Sequence, residues 1–376
     1  MSILHTPVTL GALELPNRLI MAALTRCRAD ANHVPTGLMV EYYTQRASAG
    51  LIISEATMVM EGNSAFGGTE PGIYSQEQVA AWQKVTGAVH ANGGRILLQL
   101  WHGGRACHPL LNGGAQPVAP SAIAIANEET HTPEGKKPYT VPRALEDAEI
   151  PGIIEGFRLA AANAKAAGFD GVQIHAANGY LIDEFLRDGT NHRTGPYGGP
   201  IENRARLLLE ITDAVISVWG AGRVSVRISP LNSYNDMRDS DPVALTHHVA
   251  QALDARGIAF FEVVRGDLYQ IQTGDMLAPA RAGFHGALVA NLGYTPEKPP
   301  LRSPAACWPP WSLAVPSLAI PILLPGSPLV PRSRNRIPAP GTGRARQATR
   351  IIPPSGRPDP PGGIPCCRQR ESIPVP

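Results

Sequence analysis

The stretch Gly171–Leu186, GVQIHAANGYLIDEFL, decides how the rest of this chain is read. A hydrophobic run through Val172 and Ile174 ends at His175, and Asn178 and Tyr180 follow around Gly179. Three side chains able to donate hydrogen bonds are thus delivered at the end of a buried strand. In parallel α/β proteins such strand ends are where reacting groups gather. The plainer alternative is a strand that turns into a helix, with His175 and Asn178 serving only as caps. A side-chain period of two puts positions 175 and 178 on opposite faces, so a shared site requires the chain to leave the strand near Ile174 or His175. Gly179 makes that turn feasible.

Outward from this stretch the chain alternates. Strands are expected at Arg18–Leu24, Leu51–Val59, Arg95–Trp101, Gly171–Ala176, Val224–Ile228, Ala259–Val264 and Ala287–Ala290. Between them, helical periodicity covers Leu38–Ser48, Gln76–Asn92, Gly152–Ala167, Glu202–Val218 and Pro242–Ala255, with Gly168 as a C-terminal stop. The long Pro/Gly/Asn-rich segment Gly103–Ala144 reads as a functional loop. Strands alternating with helices imply a parallel sheet. A closed (β/α)₈ barrel takes about 250 residues; here the rhythm stops after seven strands, as in a barrel lacking its last unit.

Composition marks the same break. Of 37 prolines, 20 fall in residues 299–376, with ten arginines, no lysine and only Asp359 and Glu371 as acids. That tail carries +8, so with a total of +2 the first 298 residues carry −6. This mild charge selects no nucleic-acid partner. Ala305–Val330 is uncharged, but its repeated prolines exclude a membrane helix. Five cysteines without C-x-x-C or metal-ligand spacing argue against a disulfide framework or a metal site. With no signal peptide evident, a reducing cytoplasm is expected.

The strand ends carry Thr25, Gln99, Trp101, His175, Arg227 and Asn291-Leu292-Gly293. An arginine and a turn of backbone N–H groups suit a phosphate monoester. Buried glutamine and threonine suit a flat heteroaromatic ring of alternating donors and acceptors. Trp101 is either core or a pocket wall, and His102 reads as a polar loop residue. Arg227, inside VSVRI, needs a buried partner. Glu202-Asn203-Arg204 reads as a structural clamp. No G-x-G-x-x-G follows a strand, which leaves a Rossmann site unsupported.

The segments NRLIMAALTRCRA, YYTQRASAGLIISEATMV, LLQLWHGGR, PVAPSAI, GVQIHAANGYLIDEFLRDGTNHRTGPYGGPIENRARLLLE, VRISP and GALVANLGYTPEK occur in that order. Through them the chain resembles the old yellow enzyme family of FMN-dependent ene-reductases, most closely its N-ethylmaleimide and nitrate-ester reductase branch. The resemblance implies a (β/α)₈ TIM barrel over residues 1–298, with FMN at the carboxyl ends of the strands and NAD(P)H as reductant. It implies flavin contacts from Ala23, Leu24, Thr25, Ala56, Gln99, Arg227, Asn291 and Gly293. His175 and Asn178 are then the pair that binds the substrate oxygen, Tyr180 the proton donor and Trp101 a wall of the substrate pocket. The expected partner is a small-molecule alkene, with no nucleic acid, membrane or metal, in a monomer or homodimer.

The chain also departs from that pattern. Ala23 stands where proline is usual, Gln173 where glutamate is common, and Gly195 where aspartate is usual. After Lys298 the family's last helix, eighth strand and closing helix are absent. The expectation is therefore a barrel truncated after its seventh strand, with open edges and a disordered tail. An alternative to the active enzyme is an inactive member unable to retain FMN. The tail's composition motivates a hypothesis of a reading-frame shift near Pro299 in a GC-rich gene. Resequencing is expected to recover eighth-strand coding in a neighbouring frame; a single intact frame without it overturns the hypothesis.

Overall fold

The computed structural model describes residues 3–126, 128–292 and 320–323, which all fall within one compact unit, Met1–Leu329. Its barrel strands are β1 (Leu19–Met21), β2 (Leu51–Met58), β3 (Ile96–Trp101), β4 (Gly171–Ala176), β5 (Val224–Ile228), β6 (Phe260–Val264), β7 (Leu288–Asn291) and β8 (Ile320–Leu323). Helices are α1 (Gly37–Thr44), α2 (Gln76–Ala91), α3 (Ile150–Ala166), α4 (Leu181–Leu186), α5 (Ile201–Trp219), α6 (Pro242–Asp254) and α7 (Leu277–Gly283).

Local chemistry sets several boundaries. Ser75 and Gln78 form a reciprocal capping box at the start of α2, and Asp241 accepts from the Ala244 N–H at 2.9 Å to start α6. Gly168, at φ +81°, follows α3 as expected. Strands β4 and β5 have the expected limits; β1 and α1 are shorter than expected. Helix α4 follows β4 as the plainer reading of that stretch has it, whereas α7 and the hairpin of Glu129–Thr132 with Gly135–Pro138 lie outside the expected elements.

Seven strands, β1 to β7, run parallel to their neighbours within that set, and adjacent apolar residues point to opposite layers. Ile53, Leu97 and Phe260 pack with Ile20 and Val289 in one cluster. Ile52, Leu98 and Phe261 belong to another, with Trp82, Phe157 and Val249 from the helices. Both faces are therefore buried, which is why these strands read as continuous hydrophobic runs. The hairpin Val8–Leu10/Leu13–Leu15 contributes four residues to the first cluster. It docks at the amino ends of the strands, where the Ala12 N–H donates to Gly222 O at 2.8 Å.

The open-edged barrel expected from the sequence is not observed. Strand β8 lies antiparallel between β7 and β1, pairing Leu323 with Leu288 and Ile320 with Ile20, and the barrel is closed. Two unpaired edges offer a continuous row of donors and acceptors, and a short apolar stretch pairs with them despite one proline. The rest of the expected tail, 299–319 and 324–376, lies outside the described residues. Among the described residues no helix is long and apolar enough to cross a membrane. Amide hydrogen exchange tests the closure: β1 and β7 amides are expected to exchange slowly, and deletion of residues 320–323 to speed them. Equal exchange in both chains is the contrary result.

Candidate active site

The site is assembled at the carboxyl ends of the strands. Strand β4 ends at Ala176, and Asn178 and Gly179 then take positive φ values of +60° and +70°. This left-handed pair redirects the chain so that His175, Asn178 and Tyr180 can serve one space, one residue later than the sequence implied. A Cβ on Gly179 would lie 2.6 Å from Asn235 Cβ, so glycine is required by space as well as by φ. Hydrogen bonds pin the turn. The Asn178 N–H donates to Ser229 Oγ at 2.7 Å, and Asn235 Nδ2 donates to Asn178 O at 3.0 Å. The Gly179 N–H donates to Asp183 Oδ2 at 2.9 Å. Asp183 is itself held by Arg187, buried and bonded through Nε at 3.0 Å and Nη2 at 3.1 Å. Asn232 Nδ2 donates to Asn178 Oδ1 at 2.9 Å, which fixes the amide with its own NH₂ as the remaining donor.

His175 is buried, and its Nδ1 has no hydrogen-bond partner among the described residues. Burial, reinforced by the Arg227 charge, holds its pKa well below the usual histidine value, so the ring is a neutral hydrogen-bonding group. The Tyr180 ring stands edge-on to His175 at 5.3 Å and to Trp101 at 5.2 Å. Burial raises the Tyr180 phenol well above 10, and neighbouring Tyr234 and Tyr139 raise it further; it shares a side-chain hydrogen bond with Tyr234. Trp101 is fully buried with an unpartnered Nε1, and Phe66 packs on it at 5.3 Å. It is thus part of a hydrophobic cluster with Tyr180, Ala56 and Met58.

Beneath these groups the barrel interior is polar. Gln99 Nε2 donates to Gln173 Oε1, and Gln173 Nε2 donates to Glu262 Oε2, both at 2.8 Å. Asn291 Nδ2 donates to Glu262 Oε1 at 3.0 Å, and Arg227 Nε lies 3.2 Å from the same oxygen. Arg227 therefore has the partner its strand demanded. Glu262 itself was overlooked, although an acid inside the apolar run FFEVV raises the same question. Tyr234 and Asn232, from the loop after β5, carried no signal in the sequence.

Ala23, Leu24 and Thr25 lie on the extended segment after β1, with Ala23 and Thr25 half-buried. That segment is tied to β2 by the Arg26 N–H donating to Glu55 Oε2 at 2.9 Å. Ala56 is the register partner of Gln99. Gly293 lies outside the described residues, and the Asn291 side chain joins the interior network. His102 is not the polar loop residue expected. It is buried, its Nδ1 accepts from the Gly104 N–H at 3.1 Å, and burial lowers its pKa to about 3. Arg204 is a structural clamp as expected, donating to Leu186 O and pairing with buried Asp239.

A closed barrel with a neutral histidine, a phenol and an indole gathered at one strand end is the architecture of a barrel enzyme. Residues 3–280 match the model of the NADH:flavin oxidoreductase / NADH oxidase family. A probable flavin mononucleotide-dependent alkene reductase of Leishmania infantum is 48% identical over 298 residues, covering 78% of this chain and 81% of the relative. 12-Oxophytodienoate reductase 7 of Oryza sativa is 47% identical over 315 residues, covering 78% and 79%. Among solved structures, morphinone reductase superposes with a TM-score of 0.74 at 46% identity, covering 78% and 80% of the two chains. The old yellow enzyme homologue from Zymomonas mobilis gives 0.75 at 46%, covering 78% and 83%. The chain belongs to the NADH:flavin oxidoreductase / NADH oxidase family and is an FMN-dependent oxidoreductase.

Two buried histidines with lowered pKa values give a pH signature. Each binds a proton in the unfolded chain below pH 6.5 but not in the fold, so their contribution is fully present above that value and is lost as pH falls. The His102 contribution is expected to fall by about 1 kcal/mol between pH 6.5 and 5.5, with His175 adding in the same direction. Buried Glu184, pushed up to about 8, changes stability in the opposite sense over this window. The direct measurement is therefore NMR: the His102 and His175 ring signals are expected not to titrate between pH 8 and 5.

Proposed function

We propose that this chain is an NAD(P)H-dependent ene-reductase acting on activated C=C bonds of enones and maleimides, with nitrate esters as a further substrate class. The carrying observation is the neutral, buried His175 ring edge-on to the Tyr180 ring beside Trp101, on the same strand end as Asn178, whose amide keeps its NH₂ as donor. Fold and family membership supply the flavin. The residues present suit it. Gln99, Arg227 and Asn291 at the floor and Ala23, Leu24, Thr25 and Ala56 around the rim offer polar contacts and a narrow apolar ledge. Trp101 Nε1 and His175 Nδ1 are buried without hydrogen-bond partners among the described residues, as expected of groups that meet a bound molecule. Gly293, outside the described residues, is proposed to contribute to the phosphate site.

Bound FMN, reduced by NAD(P)H, supplies a hydride to the alkene β-carbon. His175 and Asn178 hold the carbonyl oxygen on which negative charge develops, and Asn178 is anchored by Ser229 and Asn232 before substrate arrives. Because His175 is neutral, it favours this developing charge without binding resident anions as tightly as an imidazolium. Tyr180 keeps its proton at every physiological pH and surrenders it to the α-carbon as carbanion character grows. Tyr234, hydrogen-bonded to it, offers a route for reprotonation.

Residues 1–298 form the flavin-binding domain in this reading, and 299–376 a tail unrelated to the family. The protein is placed in the cytoplasm as a monomer or homodimer. Its rival is an inactive chain that cannot retain FMN.

The purified protein is expected to be yellow, with a flavin absorbance band. A colourless preparation that takes up no added FMN overturns the activity. Tyr180→Phe is expected to slow enone reduction about 10²-fold or more while leaving reduction of the flavin by NAD(P)H intact. Asn178→Ala is expected to lower the rate of the same half-reaction about 10²-fold. Stopped-flow measurement of the two half-reactions separates these outcomes.

A further inference from the structure

Three of the residues assigned to the flavin, Gln99, Arg227 and Asn291, converge on one carboxylate that has no place in that assignment. Glu262 is fully buried on β6. It accepts from Asn291 at 3.0 Å and from Gln173 at 2.8 Å, lies 3.2 Å from Arg227 Nε, and reaches Gln99 through Gln173.

We propose that Glu262 is a positioning residue for the flavin pyrimidine, orienting the Gln99 amide and moderating the charge of Arg227. The proposal rests on the reading of function above. Its first half follows from hydrogen-bond polarity. A carboxylate only accepts, so Gln173 must turn its NH₂ towards Glu262 and its carbonyl towards Gln99. Gln99 must then spend an N–H on that carbonyl and present its own Oε1 to the site. The ring edge of a flavin places an N–H donor between two carbonyls, and an outward-facing acceptor matches that donor. Reversing any one amide leaves two NH₂ groups or two oxygens in opposition, so the carboxylate at one end fixes the polarity of the whole chain.

The second half is electrostatic. Strand register places Arg227 beside Glu262 on one side and His175 on the other. The arginine's charge is felt at His175. An isolated cation there would stabilise the extra negative charge of the reduced ring strongly; Glu262 offsets part of it. Glu262 thus keeps the reduced flavin a better hydride donor than a bare arginine would.

The test compares flavin-loaded proteins. Glu262→Gln is expected to shift the oxidised–reduced equilibrium of the bound flavin about tenfold towards the reduced form, a rise of about 30 mV in midpoint potential. The same variant is expected to weaken FMN binding about tenfold, read by recovery of flavin fluorescence. Gln173→Met breaks the amide chain but keeps the carboxylate, so FMN affinity should fall while the potential stays at the wild-type value. A flavin-loaded E262Q with an unchanged or lowered potential overturns this inference alone. So does a Q173M protein that binds FMN like the wild type, and this variant carries the test if E262Q does not accumulate folded. A wild-type protein that takes up no FMN overturns the functional reading and this inference together.

Discussion

The left-handed turn at Asn178 and Gly179 is the constraint on which the site depends. A strand can present only alternate residues to one face, so no regular continuation of β4 brings His175, Asn178 and Tyr180 to the same space. The turn does so by placing a non-glycine residue at φ +60°, a conformation that survives only when its surroundings hold it. Those surroundings are Ser229, Asn232 and Asn235 from the loop after β5, and Asp183 with Arg187 from α4. The Asn178 turn is therefore a product of two neighbouring β/α units, held by hydrogen bonds from both.

Much of this was legible in the sequence, because it depends on short-range pattern. Strands β4 and β5 are runs of β-branched and aliphatic residues bounded by glycine, arginine and proline, and their limits emerge unchanged. The need for a turn after His175 followed from the period of two alone. The polar strand ends pointed to one face because parallel strands deliver their carboxyl termini to the same side.

The rest was hidden for identifiable reasons. Gln173 and Glu262 are 89 positions apart, and Asn178 and Asn232 are 54 apart, so neither contact leaves a local periodicity. His102 looked like a loop residue from its glycine neighbours, yet its carbonyl accepts from Leu181 and its ring is buried beneath α4. The open edge was wrongly expected because proline content describes a segment by itself. It does not describe how strongly two unpaired strands recruit whatever apolar stretch can reach them.

Strand β8 also has a bearing on the order in which the barrel assembles. Its partner positions Leu19 and Pro321 are separated by almost the whole described chain, whereas β4 and β5 pair across the two helices α4 and α5. Contacts of such long range form late, after the parallel strands have zipped in sequence. The seam at β1–β8–β7, between Leu19–Met21 and Leu288–Asn291, is thus expected to be the last part of the wall to set as the chain folds.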